Sequence, residues 1–211
     1  MKLPLAAKIK KTAHQAIAYA QDLMMEEVYR FFPKAVFHGG TAIWRCYGGN
    51  RFSEDLDFYL SSKQPVPAFF ERLQQKGFMV HKQRIKENSL YSLLEFNRAQ
   101  VRFEALFMEK KPAVLKEYEL LDGNFLTVYT LSPEDLLQEK IAACLKRRKV
   151  RDLYDIFFLL RQVEEQPKGL EAVQQVKIVD GATLPAIILS GLIPTVKEMK
   201  EYIARWEKQN I

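Results

Sequence analysis

The order of apolar and polar residues predicts alternating helices and strands up to residue 130. Between residues 6 and 30, apolar side chains such as Ile9, Ile17 and Met24 recur at helical spacing, and Pro33 ends that pattern. Shorter apolar stretches, several of them alternating with polar residues, are typical of strands. We expect strands at residues 35–38, 55–60, 78–83, 90–96, 101–107 and 126–130, and helices at residues 41–47 and 67–76.

After residue 131 the pattern is helical throughout. Ser132 and Asp135 are suited to cap the first of these helices, because a side-chain oxygen there can accept a backbone N–H. No repeat or low-complexity linker interrupts the chain, and we predict a mixed α/β domain at residues 1–130 and a helical domain at residues 131–211. The expected helices of the second domain are residues 133–148, 152–163, 170–179, 183–192 and 195–208.

Two carboxylates share one face of the strand predicted at residues 55–60. Asp55 and Asp57 are two residues apart, so both project from the same side, while Leu56 and Phe58 project from the other and can be buried. Adjacent carboxylates repel each other unless a cation neutralises them, and Mg²⁺ prefers such oxygen ligands. The pair indicates either a divalent metal site or a solvated strand end.

A glycine-rich turn precedes this strand. Residues 36–43 are typical of a short strand, a turn and a helix, with Gly39, Gly40 and Thr41 at the turn. Free backbone N–H groups at a helix N-terminus bind phosphate well, although Gly-Gly is also common in ordinary turns. A phosphate site beside a metal site would indicate chemistry on a nucleotide.

The turn followed by the Asp-Leu-Asp strand resembles the signature of the DNA polymerase β-like nucleotidyltransferase superfamily. Residues 131–141 and 148–156, which contain a lysine helix and then Arg-Asp-Leu-Tyr-Asp, resemble the C-terminal half of AbiEii/AbiGii-type nucleotidyltransferase toxins. The phrasing of residues 51–58 also suits that family, and the matching blocks extend from about residue 37 to residue 160. The resemblance implies an α+β fold, with a polymerase β-like mixed sheet flanked by helices and a C-terminal helical part.

The resemblance implies nucleotidyl transfer, in which an acceptor hydroxyl attacks the α-phosphorus of a nucleoside triphosphate and pyrophosphate leaves. Two Mg²⁺ ions would be held by Asp55, Asp57 and a third carboxylate on a neighbouring strand. Glu104 fits that third position. It could equally be a solvent-facing glutamate that pairs with Arg102 or Lys82.

The resemblance also implies roles in binding the triphosphate. Gly39, Gly40 and Thr41 would hold the β- and γ-phosphates through backbone N–H groups and the threonine hydroxyl. Ser53 would bind the triphosphate or cap the strand entry. Arg51 would neutralise phosphate charge or form an exposed ion pair.

In the second half of the chain, the resemblance implies that Lys140 contacts the triphosphate and that Asp152 orients Lys140 or binds the base. Each has an ordinary alternative. A lysine on an apolar helix can extend its amine to solvent, and Asp152 can be a helix N-cap. We interpret Asp155, one turn further along, as a surface acid.

Composition adds a modest basic excess, 32 Lys and Arg against 26 Asp and Glu, for a formal net charge of +6. A basic cluster at residues 146–151 predicts either contact with RNA phosphates or a solvated helix end. Cys46 and Cys144 lack metal-ligand spacing and are expected to be free thiols in a reducing cytosol. Residues 1–11 are too short in apolar length for a signal peptide, and no stretch is typical of a membrane span, so we expect a soluble cytoplasmic protein.

The resemblance implies a toxin of an abortive-infection or toxin–antitoxin system, acting on RNA, for example a tRNA 3′ end, or on a protein hydroxyl. Its expected partner is an antitoxin, often a winged-helix protein. Three alternatives remain: an antibiotic-type enzyme with a small-molecule acceptor, a non-catalytic RNA- or protein-binding module, and a two-metal nuclease. The nuclease is disfavoured because it gives Gly39 and Gly40 no role.

Overall fold

The protein divides into two compact units, seen in a computed structural model that describes residues 4–108 and 112–209. The first unit comprises Met1–Gly48 and Phe52–Leu131, and the second comprises Gly49–Arg51 and Ser132–Ile211. Three residues between a helix and a strand of the first unit therefore belong to the second.

Within the described residues, one mixed sheet of seven strands forms the centre of the first unit. Its strands are β1 (Val36–His38), β2 (Asp55–Leu60), β3 (Met79–Ile85), β4 (Ser89–Phe96), β5 (Ala99–Phe107), β6 (Val114–Glu119) and β7 (Phe125–Thr130). They lie in the order β3-β4-β5-β2-β1-β7-β6. Strand β2 pairs with β1 in the antiparallel sense and with β5 in the parallel sense.

Helices complete both units, and the expected α+β class is confirmed. Those of the first unit are α1 (Leu5–Lys8), α2 (Thr12–Phe31), α3 (Gly39–Tyr47) and α4 (Val66–Gln75). Those of the second are α5 (Pro133–Arg147), α6 (Val150–Leu159), α7 (Leu170–Gln175), α8 (Leu184–Ile187) and α9 (Val196–Gln209), with a 3₁₀ turn at Gly181–Thr183. No helix of the described residues is both long and apolar enough to cross a membrane.

The alternation of β2 fixes which face of the sheet is buried. Leu56, Phe58 and Leu60 are fully buried, as predicted, and the Phe58 ring lies 5.4 Å from that of Phe103 on β5. Burial of such a side chain contributes about 1.5–3 kcal/mol, so a shift of register by one residue would be costly. The opposite face of β2 therefore carries Asp55 and Asp57.

The structure differs from the predicted elements in three places. The helix expected at residues 6–30 is broken between α1 and α2, where the Gln15 side-chain amide donates to the carbonyl oxygens of Ala6 and Ile9. Strand β6 was missed, because four of its six residues are exposed at the sheet edge and lack an apolar pattern. In place of the helix expected at residues 183–192 are a 3₁₀ turn, one helical turn and a β-bridge from Ile188 to Arg51.

Candidate active site

Strand pairing brings three carboxylates onto one face of the sheet in the first unit. Parallel pairing of β2 with β5 sets Asp55 opposite Arg102 and Asp57 opposite Glu104. The predicted shared face of Asp55 and Asp57 is confirmed, since both are partly exposed while the residues between and after them are buried. Neighbouring strands are about 4.8 Å apart, so all three carboxylates lie within one small patch.

Asp55 is the partner of an arginine. Arg102 donates from Nε to Oδ1 of Asp55 at 2.6 Å and from Nη2 to Oδ2 at 2.9 Å. Burial by itself lowers the pKa of Arg102, but the carboxylates of Asp55 and Glu104 raise that pKa by more. Arg102 therefore interacts electrostatically with both acids, and the two hydrogen bonds described here go to Asp55.

The glycine turn lies directly against the second carboxylate. Gly39 has φ +76°, and a Cβ built at this position would overlap Oδ2 of Asp57 and lie 2.9 Å from its Cγ. Both the backbone conformation and the space beside it therefore require glycine. The Gly-Gly motif predicted a turn here, and in the structure Gly39 starts α3 directly against Asp57 of β2.

Thr41 fastens the same turn to the start of β2. Its side chain is fully buried, and its hydroxyl donates to the carbonyl oxygens of Asp55 at 2.5 Å and of Ser53 at 3.3 Å. The buried amide of Gln21 also donates to the Ser53 carbonyl, at 3.0 Å. The threonine hydroxyl thus has a structural role at the turn, and the phosphate contacts predicted for Gly39, Gly40 and Thr41 stay a prediction.

The carboxylate patch offers the hard oxygen donors that suit Mg²⁺. Asp57 lies between Asp55, two residues along the same strand, and Glu104, its partner on β5. In the described parts of the chain, no three histidine, cysteine or acidic side chains converge as a ligand set. The carboxylate oxygens are donors of the kind that a divalent ion prefers, but in this structure the Asp55 carboxylate is bound by Arg102.

In the second unit, Asp155 lies at the centre of a buried charge cluster. Arg51 donates to it from Nε and Nη2, both at 2.8 Å, and Nζ of Lys140 lies 2.8 Å from Oδ2. Burial by itself raises the pKa of Asp155, but the two cations lower that pKa by more, so it lies below the usual aspartate range. Asp155 is 1% exposed, and its interpretation as a surface acid is wrong.

Asp152 is the other acid of this cluster and is also fully buried. It accepts from Arg147 at 2.7 and 3.2 Å, and Nζ of Lys140 lies 3.9 Å from its Oδ1. Helix α6 begins at Val150 with Lys149 as its N-cap, so Asp152 lies in the first turn and is not the cap. Lys140 is therefore held between two aspartates, and Arg51 is bound to one of them.

The basic cluster of residues 146–151 is partly neutralised within the second unit. Arg147 pairs with Asp152, and Nζ of Lys149 lies 3.6 Å from Asp180. Lys146 and Arg148 are exposed, and Arg148 ends α5 with φ +58°. Arg147 is exposed as well, but its guanidinium is paired with Asp152.

Sequence reasoning missed the partner of Asp55 and the burial of Asp155. The first depends on the parallel register of β2 with β5, which no local pattern encodes. A signal for the second existed, because Asp152, Asp155 and Leu159 follow the spacing of one helix face. An acid at such a position is usually expected at the surface.

Comparison with known proteins adds a family and a fold. A sequence profile described as nucleotidyl transferase AbiEii toxin, type IV TA system, matches residues 23–207. An uncharacterized protein of Aquifex aeolicus strain VF5 is 29% identical over 140 residues, which are 66% of this chain. The matched region spans 64% of that relative, less than two thirds of its length.

Two solved structures have a similar fold. MenT4, a nucleotidyltransferase toxin from Mycobacterium tuberculosis H37Rv, superposes with a TM-score of 0.63 at 16% identity, over 97% of this chain and 88% of that one. JHP933 from Helicobacter pylori also gives a TM-score of 0.63, at 18% identity, over 96% of this chain and 91% of that one.

Proposed function

The chain belongs to the AbiEii family of nucleotidyl transferase toxins, and from that premise we propose that it transfers a nucleoside monophosphate from a nucleoside triphosphate to an RNA hydroxyl. The family expected from residues 37–160 is confirmed. The triphosphate, the acceptor and the metal ions belong to the proposal.

The contact between Gly39 and Asp57 carries this proposal. A phosphate bound by the N–H groups at the start of α3 would lie beside the carboxylates of β2, because Gly39 leaves no gap between turn and strand. Transfer of a nucleotidyl group requires a phosphate-binding turn and metal-binding carboxylates at one place, since the α-phosphate must be held while charge develops on it.

Each carboxylate has a proposed role. Asp55, Asp57 and Glu104 hold divalent metal, proposed as two Mg²⁺ ions. When bound, the ions polarise the α-phosphate and stabilise the attacking and leaving oxygens. Glu104, on the strand beside Asp57, takes the proton of the attacking hydroxyl. A bond forms between the acceptor oxygen and the α-phosphorus, the bond from that phosphorus to the bridging oxygen breaks, and pyrophosphate leaves.

Backbone groups bind the rest of the triphosphate. The N–H groups of Gly39, Gly40 and Thr41 hold the β- and γ-phosphates, and Ser53, whose carbonyl is fixed by Gln21, supports the strand entry or adds a hydroxyl contact. The hydroxyl of Thr41, which the family resemblance predicts to contact phosphate, donates to the carbonyl oxygen of Asp55.

The family resemblance predicts that Lys140 contacts the triphosphate and that Asp152 orients Lys140 or binds the base. The 3.9 Å between Nζ of Lys140 and Oδ1 of Asp152 supports the orienting role. Arg51 donates to Asp155 with Nε and Nη2, so we propose that it contributes charge and holds Asp155 in place.

The proposed acceptor is RNA, for example a tRNA 3′ end, with a protein hydroxyl as the alternative. Exposed Lys146 and Arg148 supply charge for an RNA backbone. The proposed setting is the cytoplasm, where triphosphates and RNA occur together. A cognate antitoxin, proposed as a winged-helix protein, would be found by examining the neighbouring gene.

Incubation of the protein with each labelled triphosphate, Mg²⁺ and total RNA tests the function. We expect one triphosphate to label RNA with the wild type, and the double variant Asp55→Ala with Asp57→Ala to transfer no label. Glu54→Ala is the matched control, because Glu54 is exposed and lies next to Asp55 in the chain. It should transfer at the wild-type rate.

Two results would reject the proposal. Equal transfer by the double variant would remove the carboxylates from the chemistry, and failure of all four triphosphates to label RNA would exclude an RNA acceptor. One observation favours a small-molecule acceptor as the second candidate: two cations of the basic cluster, Arg147 and Lys149, are occupied by acids of the same unit. Labelling of a small hydroxyl compound in place of RNA would support that candidate.

A further inference from the structure

We propose that Arg102 competes with divalent metal for the carboxylate of Asp55, and that metal binding transfers its guanidinium to the triphosphate. The inference rests on the proposed function, because it concerns the same carboxylates. It gives Arg102, a residue outside the family motifs found in the sequence, a role in binding the triphosphate.

The hydrogen bonds of Arg102 occupy both oxygens of Asp55. Two nitrogens of one guanidinium donate to Oδ1 and Oδ2, at 2.6 and 2.9 Å. A bidentate arginine–carboxylate pair has this geometry, and it is among the stronger side-chain interactions. A Mg²⁺ ion bound to the same oxygens would place two cations against one carboxylate, and their mutual repulsion makes the ion and the guanidinium compete for Asp55.

The strand register explains why arginine reaches Asp55 and not Glu104. Arg102 and Asp55 are direct partners in the parallel pairing of β2 and β5, and Glu104 is two residues further along β5, opposite Asp57. The Arg102 guanidinium therefore neutralises part of a patch that contains three acids. A divalent ion brings more charge to the same patch and outcompetes one arginine when enough of it is present.

The released arginine has room to move. The side chain of Arg102 is 39% exposed, whereas that of Asp55 is 18% exposed, so the carboxylate is the fixed partner and the guanidinium the mobile one. Its five N–H donors match phosphate as well as they match carboxylate. A triphosphate that enters with metal at Asp55 and Asp57 would replace the Asp55 carboxylate as the anionic partner of Arg102.

The competition predicts opposite effects of one substitution on two ligands. Mn²⁺ alone, followed by electron paramagnetic resonance or calorimetry, should bind Arg102→Gln about three- to tenfold more tightly than wild type, as expected for loss of a half-exposed competing ion pair. Tripolyphosphate in saturating Mn²⁺ should bind the same variant about tenfold more weakly, because a charge-assisted contact is lost. Tripolyphosphate carries no base, so the identity of the nucleotide does not affect the test.

Two further variants control the experiment. Arg84→Gln removes an exposed arginine from β3 of the same sheet and should change neither affinity. Arg102→Lys keeps the charge but loses the bidentate geometry, so its Mn²⁺ affinity should lie between those of wild type and Arg102→Gln. It also provides the measurement if Arg102→Gln proves unstable to heat.

Mn²⁺ affinity that is equal or lower in Arg102→Gln, and in Arg102→Lys, overturns the competition. Tighter Mn²⁺ binding without weaker tripolyphosphate binding overturns the transfer of the guanidinium to phosphate. Neither result bears on label transfer by the wild type, which decides the proposed function independently.

Discussion

The Cα of Gly39 lies against the carboxylate of Asp57, so position 39 has no space for a side chain. Two constraints coincide there, a left-handed backbone with φ +76° and the nearby acid. The glycine turn and the carboxylate strand thus meet at one residue, and a methyl group at position 39 tests the arrangement.

Gly39→Ala should destabilise the fold by about 2 kcal/mol or more, from backbone strain and collision with Asp57, and should abolish label transfer. Gly48→Ala is the matched control: its φ is +71°, and a Cβ there meets nothing within 4 Å. Gly48→Ala should lower the free energy of unfolding only by the backbone strain, about 1 kcal/mol, and should still transfer label. Urea unfolding measures both; equal losses in the two variants would show that contact with Asp57 is unimportant.

Mg²⁺ with the triphosphate that labels RNA should raise the melting temperature of the wild type, because a ligand that binds only the folded state stabilises it. The double variant Asp55→Ala with Asp57→Ala should fold and show no such rise. Without ligand, its stability is expected to fall by up to about 1 kcal/mol, because Arg102 loses its carboxylate partner on the partly exposed face of the sheet. Equal thermal shifts in both proteins would reject the carboxylates as metal ligands.

Lys140→Met should destabilise the second unit by about 1–3 kcal/mol, because Asp155 and Asp152 each lose one cation but keep Arg51 and Arg147. It should also weaken triphosphate binding without the total loss expected for Asp55→Ala, since the metal ligands remain. Lys146→Met, on an exposed position of the same helix, should change stability by less than about 0.5 kcal/mol. Wild-type affinity and rate in Lys140→Met would remove Lys140 from the triphosphate site.

Acid should weaken the fold partly through Asp155. Arg51 and Lys140 hold the pKa of this buried acid below its ordinary value, so its ionised form contributes stability that is fully present above the unfolded pKa, about 4. That contribution is lost as the pH falls through the lower folded pKa. Asp155→Asn should be less stable at neutral pH, and its unfolding free energy should fall less steeply below about pH 4. Parallel pH profiles for the two proteins would contradict the coupling.

RNA affinity should depend on salt through Lys146 and Arg148. Lys146→Gln with Arg148→Asn should reduce the slope of log affinity against log salt by about 1.4 to 1.8 units, since each lost phosphate contact accounts for about 0.7 to 0.9. Asparagine suits the left-handed backbone at position 148, where φ is +58°. Arg147 is left intact, because its loss would remove the hydrogen-bonded cation of the buried Asp152 carboxylate. An unchanged slope would favour a small acceptor over RNA.

Local patterns were sufficient for part of the site. The alternation of β2 predicted which face carries Asp55 and Asp57, because burial of Leu56 and Phe58 leaves one possible register. The helix capped by Ser132 was also predicted, and Asp135 donates its N–H to the Ser132 hydroxyl at 3.2 Å. Both depend on residues within a few positions of each other.

Longer-range features could not be predicted in this way. The bond from Arg102 to Asp55 spans 47 residues and depends on the parallel pairing of two strands. Arg51 reaches Asp155 across 104 residues. Sequence analysis treated each arginine as a charge free to meet phosphate or a nearby acid, because the spacing of residues along the chain contains no information about such partners.

The membership of Gly49–Arg51 in the second unit restricts how the gene can be divided. A polypeptide that starts at residue 132 would lack Arg51, the bidentate partner of Asp155, and also the Asn50 carbonyl that accepts from Leu189 at 3.0 Å. Recombination at a single crossover near residue 131 would join one parent's Arg51 to the other parent's Asp155. The two halves are therefore expected to be inherited together, and chimaeras within the family should retain function only when residues 49–51 and 132–209 come from the same parent.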